Sequence, residues 1–225
     1  MSRGFFITGT DTSVGKTRVA CALLCAFAAR GQRVAGMKPV AAGCKETPEG
    51  LYNDDVEQLI AASTIKAPRH IVNPYAFKLP IAPYIAAHQA GVEIKTALIK
   101  TAFEQLNKIA DFVVVEGVGG FKVPISRQQD TADLAGILGV PVILVVGMRL
   151  GCLNHALLTL GAIEDHGLRL AGWVANCIDP HMAMLQENLC ALEERISQPL
   201  LGVLAFQTNP RPDELARELD IQLLL

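Results

Sequence analysis

The chain has 225 residues, 51% of them hydrophobic and 19% charged, with a formal net charge of −2. That is enough apolar material for one sizeable core, so a single domain spanning 1–225 is expected. No lysine/arginine cluster of the kind a nucleic-acid binder needs is present, and no apolar run reaches the roughly 20 residues that cross a bilayer, which favours a small-molecule partner.

Met1-Ser2-Arg3-Gly4 runs straight into the first apolar stretch without a secretory pattern. From there, apolar runs alternate with helical periodicity. A strand is predicted over 4–8, a helix over 16–30 and a second strand over 33–38. The stretch from Pro39 to Gly91 is rich in proline and glycine and reads as a functional loop or lid, with one helix at 54–62. Beyond it come a helix at 94–109, a strand at 112–116, a helix at 131–138, a strand at 142–147 and a helix at 153–166. Then follow a strand at 171–176, a helix at 181–196, a strand at 200–204 and a helix at 212–219, with 221–224 a candidate edge strand. The runs 112–116 and 142–146 are apolar without alternation, as in parallel strands buried on both faces. The order predicts an α/β fold with a mainly parallel sheet flanked by helices on both faces.

Between the first strand and the first helix stands Gly9-Thr10-Asp11-Thr12-Ser13-Val14-Gly15-Lys16-Thr17. A strand, a glycine-containing turn and a helix in that order make an anion trap. Backbone N–H groups converge on a phosphate, the helix N-terminus adds its partial charge, and Lys16 adds a full one. Thr17 is placed to offer its hydroxyl to Mg²⁺. The usual loop would carry glycine at position 10, where this chain has Thr10.

Other candidates fall at strand ends, where open α/β sheets bind ligands. Glu116 tips the 112–116 strand ahead of Gly117-Val118-Gly119-Gly120, suiting a metal ligand beside a backbone that can approach closely. In Asn53-Asp54-Asp55, Asp54 with Glu57 resembles a helix cap, and for Asp55 first-turn placement and metal binding stay open. Lys38 ends the second strand, as many exposed lysines do; a second cation beside a phosphate loop would also stabilise a transferred phosphoryl group. The segment from Gly147 to His155 is either an ordinary strand-to-helix turn or a carboxylate site. Asn176 is a turn asparagine or a reader of adenine's edge. The five histidines share no metal-ligand spacing, and the six cysteines include no C-x-x-C pair, which suggests reduced thiols in a cytoplasmic protein.

Taken together, the Gly9–Thr17 string, Met37-Lys38-Pro39-Val40, Glu49-Gly50 with Asn53 and Asp55, and Val115-Glu116-Gly117-Val118-Gly119-Gly120 resemble segments of the dethiobiotin synthetases. So do Leu150-Gly151-Cys152-Leu153-Asn154-His155 and Gly172-Trp173-Val174-Ala175-Asn176. The resemblance runs from about residue 4 to 205. It implies a single-domain, P-loop NTPase-like fold. It also implies an ATP-dependent ligase that closes the ureido ring of the biotin precursor from 7,8-diaminononanoate and CO₂, with Mg²⁺. On this reading Lys16 and Lys38 are catalytic, and Thr17, Asp55 and Glu116 hold the metal. Ser13, Val14, Gly15, Lys16, Thr17, Arg18, Asp55, Glu116, Gly117, Val118, Gly119, Asn176, Cys177, Ala205, Phe206 and Gln207 line the nucleotide. Thr12, Lys38, Ala42, Gly151, Cys152, Leu153 and Asn154 serve the substrate, the last four receiving its carboxylate from the partner subunit of a homodimer.

Several positions depart from that family's pattern. Ser13 replaces a common acidic residue, Ala42 and Ala82 replace serines, and Tyr84 replaces a histidine. Cys177 stands for an aspartate, and Ala205-Phe206-Gln207 for a proline-led turn. Two other functions compete: a partitioning- or positioning-type switch ATPase, and a related ATP-dependent amidating or carboxylating enzyme. The switch ATPases carry an extra lysine early in the loop, where this chain has Asp11 and Thr12.

Overall fold

The computed structural model describes residues 4–225; Met1–Arg3, read above as leading into the first strand, lie outside the described residues. In chain order the elements are β1 (Gly4–Gly9), α1 (Lys16–Ala28), β2 (Val34–Met37), β3 (Val40–Ala41), β4 (Lys45–Thr47), β5 (Gly50–Tyr52), α2 (Asp54–Ala62), α3 (Arg69–Val72) and β6 (Tyr75–Ala76). There follow α4 (Pro83–Gln89), α5 (Thr96–Ile109), β7 (Phe112–Glu116), α6 (Thr131–Leu138), β8 (Val142–Met148), α7 (Cys152–Asp165), β9 (Leu170–Cys177), α8 (Leu185–Glu193), β10 (Leu200–Leu204) and α9 (Pro212–Leu215).

Six strands make one sheet in the order β10-β9-β8-β1-β7-β2, and every pairing is parallel. Successive side chains alternate between its faces. Phe5 and Ile7 of β1 pack with α1 and the C-terminal segment, while Phe6 turns to the face covered by α5 and α6. Further along that second face, Leu144, Val146 and Trp173 pack with α7 and α8. Both faces are therefore covered, which is why β1 and β8 are buried along their whole lengths.

Register fixes the heights of the strand tips. Ile7 pairs with Glu116 across β1 and β7, and Met37 with Val115 across β2 and β7. Lys38, one residue past β2, thus comes level with Glu116. On the other side of β1, Gly147 of β8 pairs with Asn176 of β9.

The 39–91 stretch is more ordered than its sequence suggested. β3 and β6 form a two-stranded parallel pair and β4 with β5 an antiparallel hairpin, while α2 packs on α1 and β2 and α3 on α5. At the C-terminus, 221–224 is not an edge strand but a turn of 3₁₀ helix. Asp220 caps that turn through the N–H of Gln222 and spends its own N–H on Leu201. Ile221 is thereby packed into the α1 core instead of pairing along β10. The predicted 212–219 helix is likewise α-helical only to Leu215 before tightening to 3₁₀. All six cysteines are free, and among the described residues no helix is long and apolar enough to cross a membrane.

Candidate active site

The turn after β1 coils tightly before α1 begins. Ser13 and Gly15 take left-handed backbone conformations, at φ of 60° and 93°. At Gly15 a side chain is excluded twice, since a Cβ there would meet Asn176 Nδ2 at 2.0 Å. No side chain caps α1, so its first N–H groups are left for an anion. Lys16 at that N-terminus is buried, and its Nζ donates to the backbone carbonyl of Asp11 at 2.9 Å. Burial pushes its pKa down to about 8, against the pull of Glu116.

A second cation stands across from it. Lys38 is held by its backbone: its N–H donates to the Val72 carbonyl at 2.9 Å, and its carbonyl accepts from Asn73 Nδ2 at 2.6 Å. Its side chain is also buried, with Nζ donating to Asp55 Oδ2 and Glu116 Oε1, each at 2.6 Å. Thr17 Oγ1 donates to the same Glu116 oxygen at 2.9 Å. Burial alone would lower the Lys38 pKa, but Glu116 and Asp55 outweigh it and the net shift is upward. Burial likewise raises the Asp55 carboxyl, and Lys38 reverses that to a net lowering. Glu116 is pushed up by burial, with Asp55 adding to the effect and Lys38 opposing it.

Asp55 is available to this group because capping falls elsewhere. Asn53, not Asp54, caps α2, its Oδ1 accepting from the N–H groups of Asp55 and Val56 at 3.1 and 3.3 Å. Asp54 points outward to Lys45. Asp55 in the first turn therefore reaches Lys38.

These side chains open on a cavity of about 690 Å³. Of the predicted site residues, Thr12, Ser13, Gly15, Lys16, Thr17, Lys38, Ala42, Asp55, Glu116, Val118 and Gly119 line it. Asn53, Pro80, Ile81, Ala82, Pro83 and Val123 complete the wall. Gly117 lies beneath, where a Cβ would meet the Phe6 ring at 3.1 Å. The other nucleotide candidates lie on the far flank of the loop. Buried Asn176 donates through Nδ2 to the Val14 carbonyl at 2.8 Å, and its Oδ1 is buried without a partner. Arg18 Nη2 donates to the Gln207 carbonyl at 2.9 Å, tying Ala205-Phe206-Gln207 to the start of α1. Cys177 is buried at the end of β9, while Phe206 is exposed. Gly151, Cys152, Leu153 and Asn154 open α7 and do not line the cavity.

The Thr17 hydroxyl and the Asp55 and Glu116 carboxylates are hard oxygen donors, and Glu116 Oε2 is buried with no hydrogen-bond partner. That set fits Mg²⁺ held together with nucleotide phosphates. Asp130, Asp133 and His166 also gather within 4.8 Å, but Asp130 and Asp133 form the capping box of α6. Lys122 is already the cation there, 2.8 Å from Asp130 and 3.1 Å from His166 Nε2.

The motifs did not signal one contact. Asp11 accepts from the N–H of Thr12 at 2.7 Å through Oδ1 and from Arg149 Nη2 at 2.7 Å through Oδ2. It joins the phosphate loop to the turn before α7 across 138 positions of chain.

Residues 3–211 match the protein family described as an AAA domain. In fold, the chain is similar to cobyrinic acid a,c-diamide synthase from Mycobacterium smegmatis, solved with an ATP analog and magnesium (TM-score 0.55, 16% identity, 97% of this chain and 92% of that one). It is equally similar to the MinC:MinD complex of Aquifex aeolicus (TM-score 0.55, 13% identity, 92% and 82%). Both place it among P-loop folds and say no more. Sequence similarity goes further. The ATP-dependent dethiobiotin synthetase BioD of Nitrosospira multiformis is 55% identical over 221 residues, covering 98% of this chain and 96% of that protein. The proteins of the same name from Aromatoleum aromaticum and Pseudomonas paraeruginosa are 54% and 46% identical; they cover 96% and 98% of this chain, and 96% and 97% of themselves. With near full-length identity of this order and a phosphate loop facing Lys38, Asp55 and Glu116 over one cavity, the chain belongs to the ATP-dependent dethiobiotin synthetase family.

Proposed function

We propose that the chain is a Mg²⁺-dependent, ATP-consuming ligase that closes the ureido ring of dethiobiotin from 7,8-diaminononanoate and CO₂. The observation that carries this reading is the convergence of Lys16, Thr17, Lys38, Asp55 and Glu116 on one cavity. CO₂ adds to one amine of the diamine, giving a carbamate. The carbamate oxygen takes the γ-phosphoryl group of ATP with release of ADP, and the second amine then closes the five-membered ring with release of phosphate. Holding both amines on one carbon chain in the cavity makes the closure effectively unimolecular.

Little acid–base chemistry is required of the protein, so its work is positioning and charge neutralisation. Lys16 and the N–H groups from Val14 to Arg18 hold the phosphates. Lys38 faces the transferred group and the carbamate. Thr17, Asp55 and Glu116 hold Mg²⁺, which neutralises phosphate charge when bound. Asn176 is suited to adenine, since its buried Oδ1 lacks a donor and adenine's amino group supplies one.

We further propose a cytoplasmic homodimer in which Gly151-Cys152-Leu153-Asn154 of each subunit completes the other's cavity. Leu150 is 97% exposed and Leu158 of α7 66%, an apolar face beside that turn which a second copy would bury. The partitioning- and positioning-type alternative is disfavoured by Asp11 and Thr12, where such a loop would carry its extra lysine.

The test is direct. Purified protein with diaminononanoate, bicarbonate and MgATP forms dethiobiotin, detected by mass spectrometry. Absence of the product, with ATP turnover stimulated instead by DNA or lipid, refutes the reading.

A further inference from the structure

Lys38 and the three proposed metal-holding residues form a single contact group. Its ammonium, only 5% exposed, touches one oxygen of Asp55 and one of Glu116 at 2.6 Å, and Thr17 shares that Glu116 oxygen. The residue assigned to the substrate is therefore hydrogen-bonded to the carboxylates assigned to the metal. Glu116 Oε2 is buried and unpartnered, which leaves it open to a cation. An ammonium and a divalent cation on the same two carboxylates, however, would repel, most strongly at buried Glu116.

We propose that Lys38 and the divalent cation compete for Asp55 and Glu116, so that seating the metal–nucleotide expels the Lys38 ammonium into the cavity. The move needs only side-chain rotation. The Lys38 backbone is pinned on both sides, to Val72 and Asn73, while its stem has four rotatable bonds. Lys38 is thus withheld from an incoming carbamate until metal and ATP are in place, which imposes an order of binding. The identity of the carbamate rests on the function proposed above; the competition itself does not.

The test avoids turnover. Mn²⁺ alone is titrated into nucleotide-free wild type and Lys38→Met, reading free Mn²⁺ by electron paramagnetic resonance. K38M is expected to bind Mn²⁺ at least tenfold more tightly, because no ammonium has to leave; equal or weaker binding overturns the proposal. In wild type, an amine-reactive label on Lys38, read by peptide mass spectrometry, is expected to rise several-fold with Mg²⁺ and a non-hydrolysable ATP analogue. Unchanged or reduced labelling overturns it, and this arm decides the matter if K38M does not fold. An enzyme that forms no dethiobiotin yet passes both tests refutes the proposed reaction and leaves the competition standing.

Discussion

The ammonium of Lys16 is hydrogen-bonded to the carbonyl of Asp11, inside its own phosphate loop. Phosphates bind the charged lysine, and burial has brought its pKa to about 8. Below that pH the charge is already present and affinity is level. Above it, binding must take up a proton, so the Kd for a non-hydrolysable ATP analogue rises, by at most about tenfold per pH unit. Calorimetry in buffers of different ionisation enthalpy reads both the affinity and the proton uptake. A flat profile from pH 7 to about pH 9.5 excludes this role for Lys16.

Lys38→Ala removes the cation that faces the transferred phosphoryl group. Turnover is expected to drop by about 10²–10³, while affinity for the ATP analogue with Mg²⁺ is retained or improved, because no ammonium has to leave Asp55 and Glu116. Single-turnover ADP release separates the two effects. Unchanged turnover removes Lys38 from the chemistry.

Arg149→Gln breaks the ion pair to Asp11, whose two side chains are 41% and 48% exposed. Stability should change by less than about 1 kcal/mol. The turn ahead of Gly151–Asn154 loses its tether to the phosphate loop, so KM for the diamine rises by roughly tenfold with kcat little altered. Steady-state kinetics beside urea unfolding checks this; a stability loss without a KM change contradicts it.

Thr131→Val tests the support of the Gly117–Val123 wall. Buried Thr131 Oγ1 donates to the Phe121 carbonyl at 2.5 Å and accepts from the Val123 N–H at 3.1 Å. Valine keeps the shape and leaves both groups unpaired, at a cost of about 1–3 kcal/mol. Urea unfolding is the measurement, and a variant as stable as the parent shows that solvent replaces both bonds.

What was readable in the sequence follows from how local its cause is. The strand at 112–116 matches its predicted bounds because an apolar run bounded by turns suffices to define a buried parallel strand, and the partly exposed edge strand at 200–204 matches as well. The β3–β6 pair was not visible, because two-residue strands exist only through a partner 35 positions away. The acids divided in the same way. Glu116 was legible from its place on a strand tip, whereas Asp55 was not separable from capping until Asn53 was seen to do that work. The Asp11–Arg149 contact has no local signature. Ile221–Leu224 misled because its apolar character serves packing against α1 rather than edge pairing.

The register that levels Lys38 with Glu116 also makes the site sensitive to one kind of genetic change. Losing one residue from 112–115 would draw the carboxylate back by about 3.3 Å and turn it to the opposite face of the sheet. The hairpin at 45–52, largely exposed and strand-paired only with itself, can lengthen or shorten at its tip without moving either residue. Insertions and deletions should therefore accumulate in the hairpin and abolish activity in the central strands, although both segments adjoin residues that line the cavity.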